Sequence, residues 1–350
     1  MDIDQLPGRT VNFHNEQFLY FSGTSYLGMT HHPEFREWVK KGIDAVGVHF
    51  GGSRLSNVQL SVFDQAEDFL AKKCGVESAL IVSSGSFAGY VSSLLISKGK
   101  DSALVAPGTH SAFSAHFNGS SDSTRSDWEK RAQGQIGRKR TDAVVVTNSI
   151  DPLFCRPIQM DWLRGVSPDR HPLVVVDDSH GIGVCGSHGE GHCRMWGDSR
   201  PEKFIFAGSL GKAVGIPAGF IIGSKNHLDR LRTKSIYGGS SPANPAFLYA
   251  FIRSEEIRRH QLKKLRANIR YFLDQLKAPE LFNYLSDYPV FCTADHGLYD
   301  HLRKHKIIIS SFNYPGKEDP KVTRIVINAM HTEEDLNELV FRINEYTPSI

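Results

Sequence analysis

The chain has 350 residues, of which 40% are hydrophobic and 23% are charged. These values are typical of a globular protein, and the length accommodates two domains or one large one. The formal net charge is only +3 and argues against nucleic-acid recognition, which requires a concentrated basic stripe. The densest basic run, residues 258–266, has helical spacing and is expected to be a solvated helix face.

Cysteine usage and the N-terminus bear on location. The N-terminal residues are acidic and polar, without the pattern of a signal peptide. No apolar run approaches the roughly 20 residues that a membrane span needs, so we expect a cytoplasmic protein. An odd, sparse set of cysteines predicts a reducing compartment and not a disulfide framework. The five are Cys74, Cys155, Cys185, Cys193 and Cys292.

Short apolar runs alternate with helical patterns through the middle of the chain. This alternation predicts an α/β fold with a mostly parallel central sheet and helices on both faces. The predicted strands are 79–83, 103–106, 143–147, 173–177, 203–207 and 219–223, and the predicted helices are 62–73, 87–97 and 162–166.

The pattern changes after Pro245. A long amphipathic helix is predicted over 246–276, and Thr332 is a natural N-cap for a closing helix over 333–345. Short strands are expected at 290–293, 307–310 and 323–328. We therefore expect a short N-terminal segment (1–40) that joins a smaller α+β C-terminal domain (246–350), with the large domain between them (41–245).

Two acidic residues lie at the end of the strand predicted at 173–177: Asp177 is its last residue, and Asp178 follows it. Asp177 lies at the carboxyl end of the strand, where open α/β sheets bind ligands. A carboxylate there could hold a proton on a pyridine nitrogen, or it could cap a turn or pair with an arginine. Asp178 should point the other way. His180 lies three residues past the strand end and is either a ligand contact or a structural residue of a Gly-rich turn.

Further along the chain, Lys212 follows the strand at 203–207 behind small residues. It is either a solvated lysine or an amine that forms a Schiff base. Residues 84–86, Ser-Gly-Ser, open a helix whose N–H groups could bind a phosphate, and Ser209 could add a hydroxyl. A carboxylate, a histidine and a lysine at this spacing are what a pyridoxal 5′-phosphate enzyme needs.

Three other interpretations are weaker. A P-loop is excluded because Phe206 and Ala213 occupy positions that require glycine and serine or threonine. A dinucleotide-binding fingerprint needs its glycines directly after the first strand, which the glycines at 181 and 183 are not. A structural zinc site stays open as an alternative, although the spacing lacks paired ligand units. Its residues would be His180, Cys185, His188, His192 and Cys193.

Taken together, ordered motifs along nearly the whole chain resemble the α-oxoamine synthases, which are pyridoxal-phosphate enzymes of fold type I. The motifs are Tyr26-Leu-Gly, Gly51-Gly-Ser-Arg-Leu, Ser83-Ser-Gly, Asp177-Asp-Ser-His-Gly-Ile-Gly, Gly208-Ser-Leu-Gly-Lys-Ala and Arg324-Ile-Val-Ile-Asn-Ala-Met-His-Thr.

This resemblance implies roles for particular residues. Lys212 corresponds to the Schiff-base lysine, Asp177 to the partner of the pyridine nitrogen, and His180 to the residue at the phenolic oxygen. His110 corresponds to the histidine that stacks on the ring, and Arg324 to the arginine that binds the substrate carboxylate. The other implied cofactor contacts are Ser84, Gly85, Ser86, Phe87 and Ser209. Family enzymes are homodimers, and Ser240 or Ser241 lies near where the partner subunit contributes a phosphate contact.

The chain departs from the family pattern mainly where substrates are selected. Thr24 replaces an asparagine that normally helps to orient the substrate carboxylate, and Ser86 replaces an aromatic residue. Residues 151–155 replace a Phe-Ser-Met-Asp-Gly block and look shortened.

The resemblance implies an acyltransferase that condenses a small amino acid with an acyl-CoA, usually with decarboxylation, in biosynthesis. The altered positions leave two alternatives open. One is an aminotransferase, aldolase or lyase on the same fold, and the other is a non-catalytic partner subunit that binds pyridoxal phosphate.

Overall fold

The structure is a computed structural model that describes residues 3–96, 103–117, 124–138, 143–167, 170–197, 203–314 and 316–347. The chain divides into two compact units. The large unit comprises Pro33–Ile150 and Ile158–Glu255, and the small unit comprises Met1–His32, Asp151–Pro157 and Glu256–Ile350. None of the helices in the described part of the chain is long and apolar enough to cross a membrane.

The large unit is built on a six-stranded sheet with the order β3-β10-β9-β8-β5-β4. The neighbouring strands β4, β5, β8 and β9 pair in parallel, whereas β10 runs antiparallel to both β3 and β9. The sheet therefore confirms the predicted, mostly parallel α/β architecture. The strands are β3 (Ser78–Val82), β4 (Ala103–Val105), β5 (Val144–Asn148), β8 (Leu173–Asp177), β9 (Phe204–Ser209) and β10 (Gly219–Gly223).

Helices cover this sheet, which explains why its strands are apolar along their whole length. All five residues of β3, β5 and β10 are buried, as expected of strands enclosed on both faces. One core cluster joins β3, β5, β8 and β9 to α3. The helices are α1 (Pro33–Val46), α2 (Ser61–Cys74), α3 (Gly85–Ser93), α4 (Ser111–Ser114), α5 (Arg125–Arg138), α6 (Cys193–Gly197), α7 (Lys225–Arg232), α8 (Ser235–Gly239) and α9 (Pro245–Arg253).

Two helix predictions in the large unit need adjustment. The helix predicted over 87–97 corresponds to α3, which begins two residues earlier because Ser84 caps it by accepting a hydrogen bond from the Phe87 N–H. Ser97 lies outside the described residues. The segment predicted over 162–166 is a 3₁₀ helix, Asp161–Gly165.

The small unit has its own six-stranded sheet, with the order β1-β2-β13-β14-β12-β11. Its strands are β1 (Thr10–Phe13), β2 (Glu16–Phe21), β11 (Asn283–Tyr284), β12 (Val290–Thr293), β13 (Ile307–Asn313) and β14 (Lys321–Val326). The remaining helices are α10 (Glu255–Gln275), α11 (Gly297–Lys304) and α12 (Glu333–Glu345). Two short strands, β6 (Ile150–Asp151) and β7 (Arg156–Pro157), form a separate two-stranded sheet.

The single long helix predicted over 246–276 is wrong, because the segment forms α9 and α10 with a break at Ser254. Ser254 leaves helical geometry, with φ −105° and ψ 22°. Its hydroxyl donates to the Ala250 carbonyl at 2.7 Å and so satisfies a group at the end of α9. Helical periodicity continues across the break, so the pattern alone did not reveal it.

The closing helix begins where the sequence predicted. The Thr332 hydroxyl accepts a hydrogen bond from the Asp335 N–H, and the Asp335 carboxylate accepts one from the Thr332 N–H, forming a capping box. Arg9 adds an ion pair with Asp335 at 2.7 Å. Burial alone would raise the pKa of Asp335, but the hydrogen bonds from Arg9 and Thr332 outweigh it and lower that pKa.

His331 is held as a neutral imidazole in the core of the small unit. Its Nδ1 accepts a hydrogen bond from the Asn328 N–H at 3.1 Å, and its Nε2 therefore carries the proton and donates to the Tyr20 carbonyl at 3.0 Å. The ring stacks on Phe21 at 4.0 Å and is fully buried. Burial lowers the pKa of His331 from 6.5 to about 4, against the opposing effect of the Tyr20 hydrogen bond.

We therefore expect acid to destabilise the protein through His331. Between pH 6.5 and 4 the unfolded state binds a proton at this imidazole and the folded state does not, so stability present above pH 6.5 is lost as the pH falls. The total loss should be about 3 kcal/mol. Chemical denaturation at pH 7 and pH 5 of the wild type and of His331→Gln measures it. The variant should be less stable at pH 7 and should lose less stability on acidification, and an equal loss in both proteins would contradict the assignment.

Candidate active site

The carboxyl ends of three adjacent strands of the large unit carry the polar side chains of the site. Asn148 ends β5, Asp177 ends β8, and Ser209 ends β9. Asn148 is the register partner of Asp177, and the Asp178 N–H donates to the Ala207 carbonyl across to β9 at 2.8 Å. The sheet thus brings these residues to one edge, which is the ligand-binding edge of α/β sheets.

Asp177 is buried, with 7% of its surface exposed. Its Oδ1 accepts a hydrogen bond from the Ser179 N–H at 2.9 Å, so one oxygen is engaged by the turn that follows β8. The Ser179 hydroxyl in turn accepts from the Ser209 N–H at 2.9 Å. These bonds hold the carboxylate and the end of β9 in a fixed relation.

Asp178 points away from its neighbour, as predicted. Its Oδ1 lies 2.8 Å from the His192 Nδ1, and its Oδ2 accepts from the His192 N–H at 2.9 Å. Cys193 Sγ donates to the carbonyls of Glu190 and Cys74 at 3.1 and 3.3 Å. Across the described ranges, no group of three or more His, Cys, Asp or Glu side chains is arranged to hold a metal ion. The contacts of Asp178, His192 and Cys193 are those of a structural core.

His110 follows β4 and caps the short helix α4. Its Nδ1 accepts a hydrogen bond from the Ala112 N–H at 3.1 Å, which leaves Nε2 as the protonated nitrogen of the neutral ring. The side chain of Asn148 secures the turn before it. Asn148 Oδ1 accepts from the His110 N–H at 3.1 Å, and Nδ2 donates to the Gly108 carbonyl at 2.7 Å.

The charges of Asp177 and Lys212 both act on the His110 imidazole. Burial lowers the pKa of His110, the Asp177 carboxylate opposes that change, and the positive charge of Lys212 acts with burial. The net shift is downward, so the imidazole is neutral near pH 7. A neutral ring can stack on a flat aromatic ligand without carrying a charge into the site. His110 therefore lies near enough to both Asp177 and Lys212 to feel their charges.

Lys212 lies three residues past β9 in an irregular segment and is half-buried. Ser209 directs its hydroxyl at this segment, because its Oγ accepts from the Gly211 N–H at 3.0 Å. Lys212 thus lies on a short connection that is anchored to the sheet edge.

The start of α3 lies against Ser209. A Cβ atom added to Gly85 would come within 2.7 Å of the Ser209 Cβ, so only glycine allows this approach. The first N–H groups of a helix have no partner within it and are directed outward, where they bind anions. The Phe87 N–H already donates to the Ser84 hydroxyl, so the N–H groups of Gly85 and Ser86 are the ones at this helix start that could bind an anion beside Ser209.

The remaining predicted site residues have fewer contacts that relate them to Asp177 and His110. His180 lies in the turn after β8 and is half-buried. Ser240 and Ser241 follow α8, where the Ser240 hydroxyl donates to the Ile236 carbonyl at 2.6 Å. Thr24 and Arg324 belong to the small unit.

Arg324 is buried in β14, with 8% of its surface exposed. Its Nη1 donates to the Pro152 carbonyl, and the guanidinium carbon lies 5.9 Å from the centre of the Phe312 ring. The Nε atom is buried and has no hydrogen-bond partner among the residues that the structure describes. A buried donor without a partner is costly, so this group is suited to an anionic ligand.

Sequence reasoning missed Asn148 and Ser179. Both act through long-range contacts, Asn148 on the turn at 108–110 and Ser179 on the end of β9. The one local signal was the Asp-x-Ser spacing of Asp177 and Ser179, which favours an Asx turn. No local signal connects Asn148 to residues forty positions earlier.

We expect Asn148→Ala to displace His110. The substitution leaves the Gly108 carbonyl and the His110 N–H without partners, which should lower the free energy of unfolding by about 1–3 kcal/mol. A displaced ring should lower turnover roughly 10–100-fold. Denaturation and steady-state rates measure both effects, with the exposed Asn12→Ala as control. A stable, fully active Asn148→Ala protein would show that the amide bridge does not position the histidine.

The residues present fit pyridoxal 5′-phosphate. A buried carboxylate at the sheet edge suits the protonated ring nitrogen, a neutral imidazole suits the ring face, and a half-buried lysine suits the aldehyde. The absence of a Cβ atom at Gly85 lets the start of α3 pack directly on Ser209 at the end of β9. Every one of these groups lies in the large unit.

Solved structures share this architecture. A serine palmitoyltransferase from S. paucimobilis superposes with a TM-score of 0.82 at 18% identity, over 98% of this chain and 91% of that chain. An 8-amino-7-oxononanoate synthase from Francisella tularensis gives a TM-score of 0.72 at 20% identity, over 94% and 97%. The fold is that of the fold type I pyridoxal-phosphate enzymes.

The sequence comparisons narrow this class. Residues 155–343, more than half of the chain, match the family of class I and II aminotransferases, and the chain belongs to that family. It is 26% identical to an 8-amino-7-oxononanoate synthase of Thermosipho melanesiensis, over 96% of this chain and 90% of the relative. The same enzyme of Methylococcus capsulatus is 29% identical over 72% and 67%. These similarities confirm the family resemblance predicted from the motifs.

Proposed function

We propose that this protein is a pyridoxal-phosphate-dependent acyltransferase that condenses a small amino acid with an acyl-CoA, with loss of carbon dioxide. The observation that carries the proposal is the buried Asp177 at the carboxyl end of β8, with His110 close enough to feel the charges of Asp177 and Lys212 and with the start of α3 packed on Ser209. The reaction type is supported by the 8-amino-7-oxononanoate synthases that align with nearly the whole chain.

The large unit would hold the cofactor. The N–H groups of Gly85 and Ser86 and the Ser209 hydroxyl would bind the phosphate, with Ser84 and Phe87 holding the helix start in place. His110 would stack on the ring. Asp177 would keep the ring nitrogen protonated, and His180 would contact the phenolic oxygen. Lys212 would be the point of covalent attachment. When bound, the cofactor supplies an electron sink for the pair released at the amino-acid α-carbon.

The protein's own groups then direct the reaction. Arg324 would bind the amino-acid carboxylate and so orient the bond to be broken. Thr24, at the position of the family's asparagine, would be a second substrate contact. Lys212 Nζ would take a proton from the α-carbon and return it later. The neutral His110 would exclude water from one face. The small substrate and the thioester then meet in a fixed orientation.

Thiol release tests this proposal. Glycine, alanine and serine are each supplied with short and long acyl-CoAs, and free CoA is measured. We expect CoA release only when one amino acid and one thioester are both present. A purified protein that takes up the cofactor and releases a keto acid or aldehyde without any thioester would overturn the acyltransferase assignment.

A second function is favoured by one observation, the altered substrate positions. Thr24 replaces the expected asparagine, and residues 151–155 replace the expected block. An aminotransferase, aldolase or lyase would need different substrate contacts while keeping the same cofactor residues. The thiol assay separates these reactions. A non-catalytic partner subunit would show neither product, although its retention of Lys212 and Asp177 argues against that role.

We also propose a homodimer. Three apolar side chains between α1 and α2 are exposed, with fractions of 58% for Val48, 57% for Leu55 and 67% for Val58. Leu55 packs against Gly238, just before Ser240 and Ser241. Such exposure is typical of an interaction surface, and a partner's Ser240 or Ser241 would complete the phosphate site. Light scattering of the purified protein tests the assembly, and a monomeric mass at micromolar concentration would contradict it.

The cytoplasm is the proposed location. All five cysteines are free in the structure, which is typical of a reducing compartment. Fractionation of expressing cells tests this assignment, and recovery of the protein outside the cytosolic fraction would overturn it.

A further inference from the structure

Two of the five cysteines meet in the small unit, outside the cofactor residues. Cys155 ends the turn of residues 152–155, between β6 and β7, and Cys292 lies in β12. Their Sγ atoms are 2.9 Å apart. Both side chains are buried, with 2% and 3% of their surfaces exposed. The contact joins a surface turn to the sheet across 137 positions of sequence.

The backbone at this contact is unusual. Cys155 has a φ of +51°, in the left-handed region that residues other than glycine seldom adopt. Such a conformation costs free energy and persists only where surrounding contacts maintain it. The neighbouring Phe154 and Arg156 are exposed. The strained residue is therefore the one that turns inward, toward Cys292.

The same turn also contacts Arg324. Cys292 on β12 is the register partner of Arg324 on β14. The first residue of the turn, Pro152, accepts a hydrogen bond from Arg324 Nη1 through its carbonyl. Both ends of the turn therefore contact the same pair of sheet residues. Its first residue, Pro152, contacts Arg324, and its last residue, Cys155, contacts Cys292.

We propose that Cys155 and Cys292 form a reversible disulfide in the folded protein, and that this bond fixes the turn of residues 152–155 over Arg324. In the reduced state only noncovalent contacts hold the turn. In the oxidised state the Pro152 carbonyl stays on the guanidinium and competes with any anion that needs the same N–H group.

The oxidant is a hydroperoxide. The Cys155 thiolate attacks one oxygen of the hydroperoxide, and the O–O bond breaks. The other oxygen takes up the proton that the thiol released and leaves as an alcohol or water, and Cys155 becomes a sulfenic acid. The Cys292 thiol then attacks that sulfur, the S–S bond forms, the S–O bond breaks, and water leaves. The two sulfur atoms together give up two electrons, which reduce the hydroperoxide. A dithiol reverses the change by exchange.

Burial of the pair and the contact between the two thiols slow their oxidation in the folded protein. Contact with Cys292 and burial raise the pKa of the Cys155 thiol well above its usual range, although the nearby Arg324 lowers it. The thiolate that reacts is therefore scarce near neutral pH. Opening of the turn exposes Cys155 and allows the first step, and closure brings the second sulfur into reach.

The functional consequence rests on the proposed role of Arg324 in binding the amino-acid carboxylate. Removing one charge-assisted hydrogen bond to that carboxylate should weaken amino-acid binding roughly tenfold. Oxidation would then lower activity at limiting amino acid and leave it nearly unchanged at saturation.

The experiment uses the full chain, reduced and then treated with hydrogen peroxide. Remaining thiols are alkylated, and the protein is digested without reductant for mass spectrometry. We expect a peptide pair joined through Cys155 and Cys292, a loss of two alkylatable thiols, and recovery of both with dithiothreitol. The Cys74→Ala variant should behave as the wild type does, whereas Cys155→Ala should form no such pair. Peroxide-treated native protein without the joined peptides would overturn the proposal.

A second measurement follows the turn itself. Hydrogen–deuterium exchange of residues 151–157 should slow on oxidation and should not change in Cys292→Ala. The half-saturating amino-acid concentration should rise roughly tenfold in the oxidised wild type. An unchanged exchange rate would overturn the fixing of the turn. If the disulfide and the slower exchange are found and no amino acid acts on either form, the proposed function fails while this inference stands.

Discussion

Replacing Lys212 with alanine should lower CoA release roughly 10⁴-fold or more, because one amine carries both the covalent attachment and the proton transfer. The side chain is half-buried, and its charge acts on His110. The other proposed cofactor contacts are untouched, so the folded variant should still bind the cofactor noncovalently. Borohydride reduction followed by mass spectrometry should label the wild type and leave Lys212→Ala unlabelled.

Lys225→Ala is the matched control. Lys225 is an exposed lysine of the same unit and pairs with Asp229 at 2.5 Å on the surface of α7. An exposed pair of this kind contributes little to stability, so the control should keep both the label and the activity. A Lys212→Ala protein that is labelled as strongly as the wild type would place the attachment elsewhere.

The part of the site that sequence could predict is the part set by local pattern. A continuous apolar run such as β8 predicts a buried parallel strand, and the residue that ends it falls at the ligand edge. Asp177 ends one such strand and Lys212 follows the next, and the charges of both act on His110. The capping box at Thr332 and Asp335 was predictable for a similar reason, because it needs only four consecutive residues.

Long-range contacts account for what the sequence did not reveal. The Asn148 side chain bridges the turn at 108–110, and no periodicity connects those positions. Residues 151–157 are grouped with the small unit although the chain on both sides belongs to the large unit. The altered block at 151–155 could be recognised as a departure, but its contacts with Cys292 and Arg324 depend on the folded sheet.

The break at Ser254 shows a different limit. An amphipathic period of 3.6 residues predicts which face is buried, and it persists through α9 and α10. It carries no information on a single hydroxyl that turns back to the Ala250 carbonyl. Boundaries set by one hydrogen bond are therefore less predictable than the elements they separate.

Asp177→Asn should lower the rate of CoA release roughly 10²–10³-fold while the protein keeps its fold. Asparagine has nearly the same shape, and its carbonyl oxygen can still accept the bond from the Ser179 N–H, which is 2.9 Å long in the wild type. The negative charge is lost, so nothing keeps the ring nitrogen protonated and the electron sink is weakened. The pKa of His110 should fall further, because the Asp177 carboxylate is the group that raises it.

Asp178→Asn provides the comparison one residue away. Asp178 is more deeply buried, at 1% exposure, and it pairs with His192 at 2.8 Å. Removing that charge weakens a buried pair, so the unfolding free energy should fall by about 1–3 kcal/mol with little change in the rate per folded molecule. Denaturation curves and the visible spectrum of the bound cofactor separate the two variants. If Asp178→Asn were the one to lose activity and alter the spectrum while Asp177→Asn only lost stability, the two carboxylates would have exchanged roles and the site would have to be rebuilt around His192.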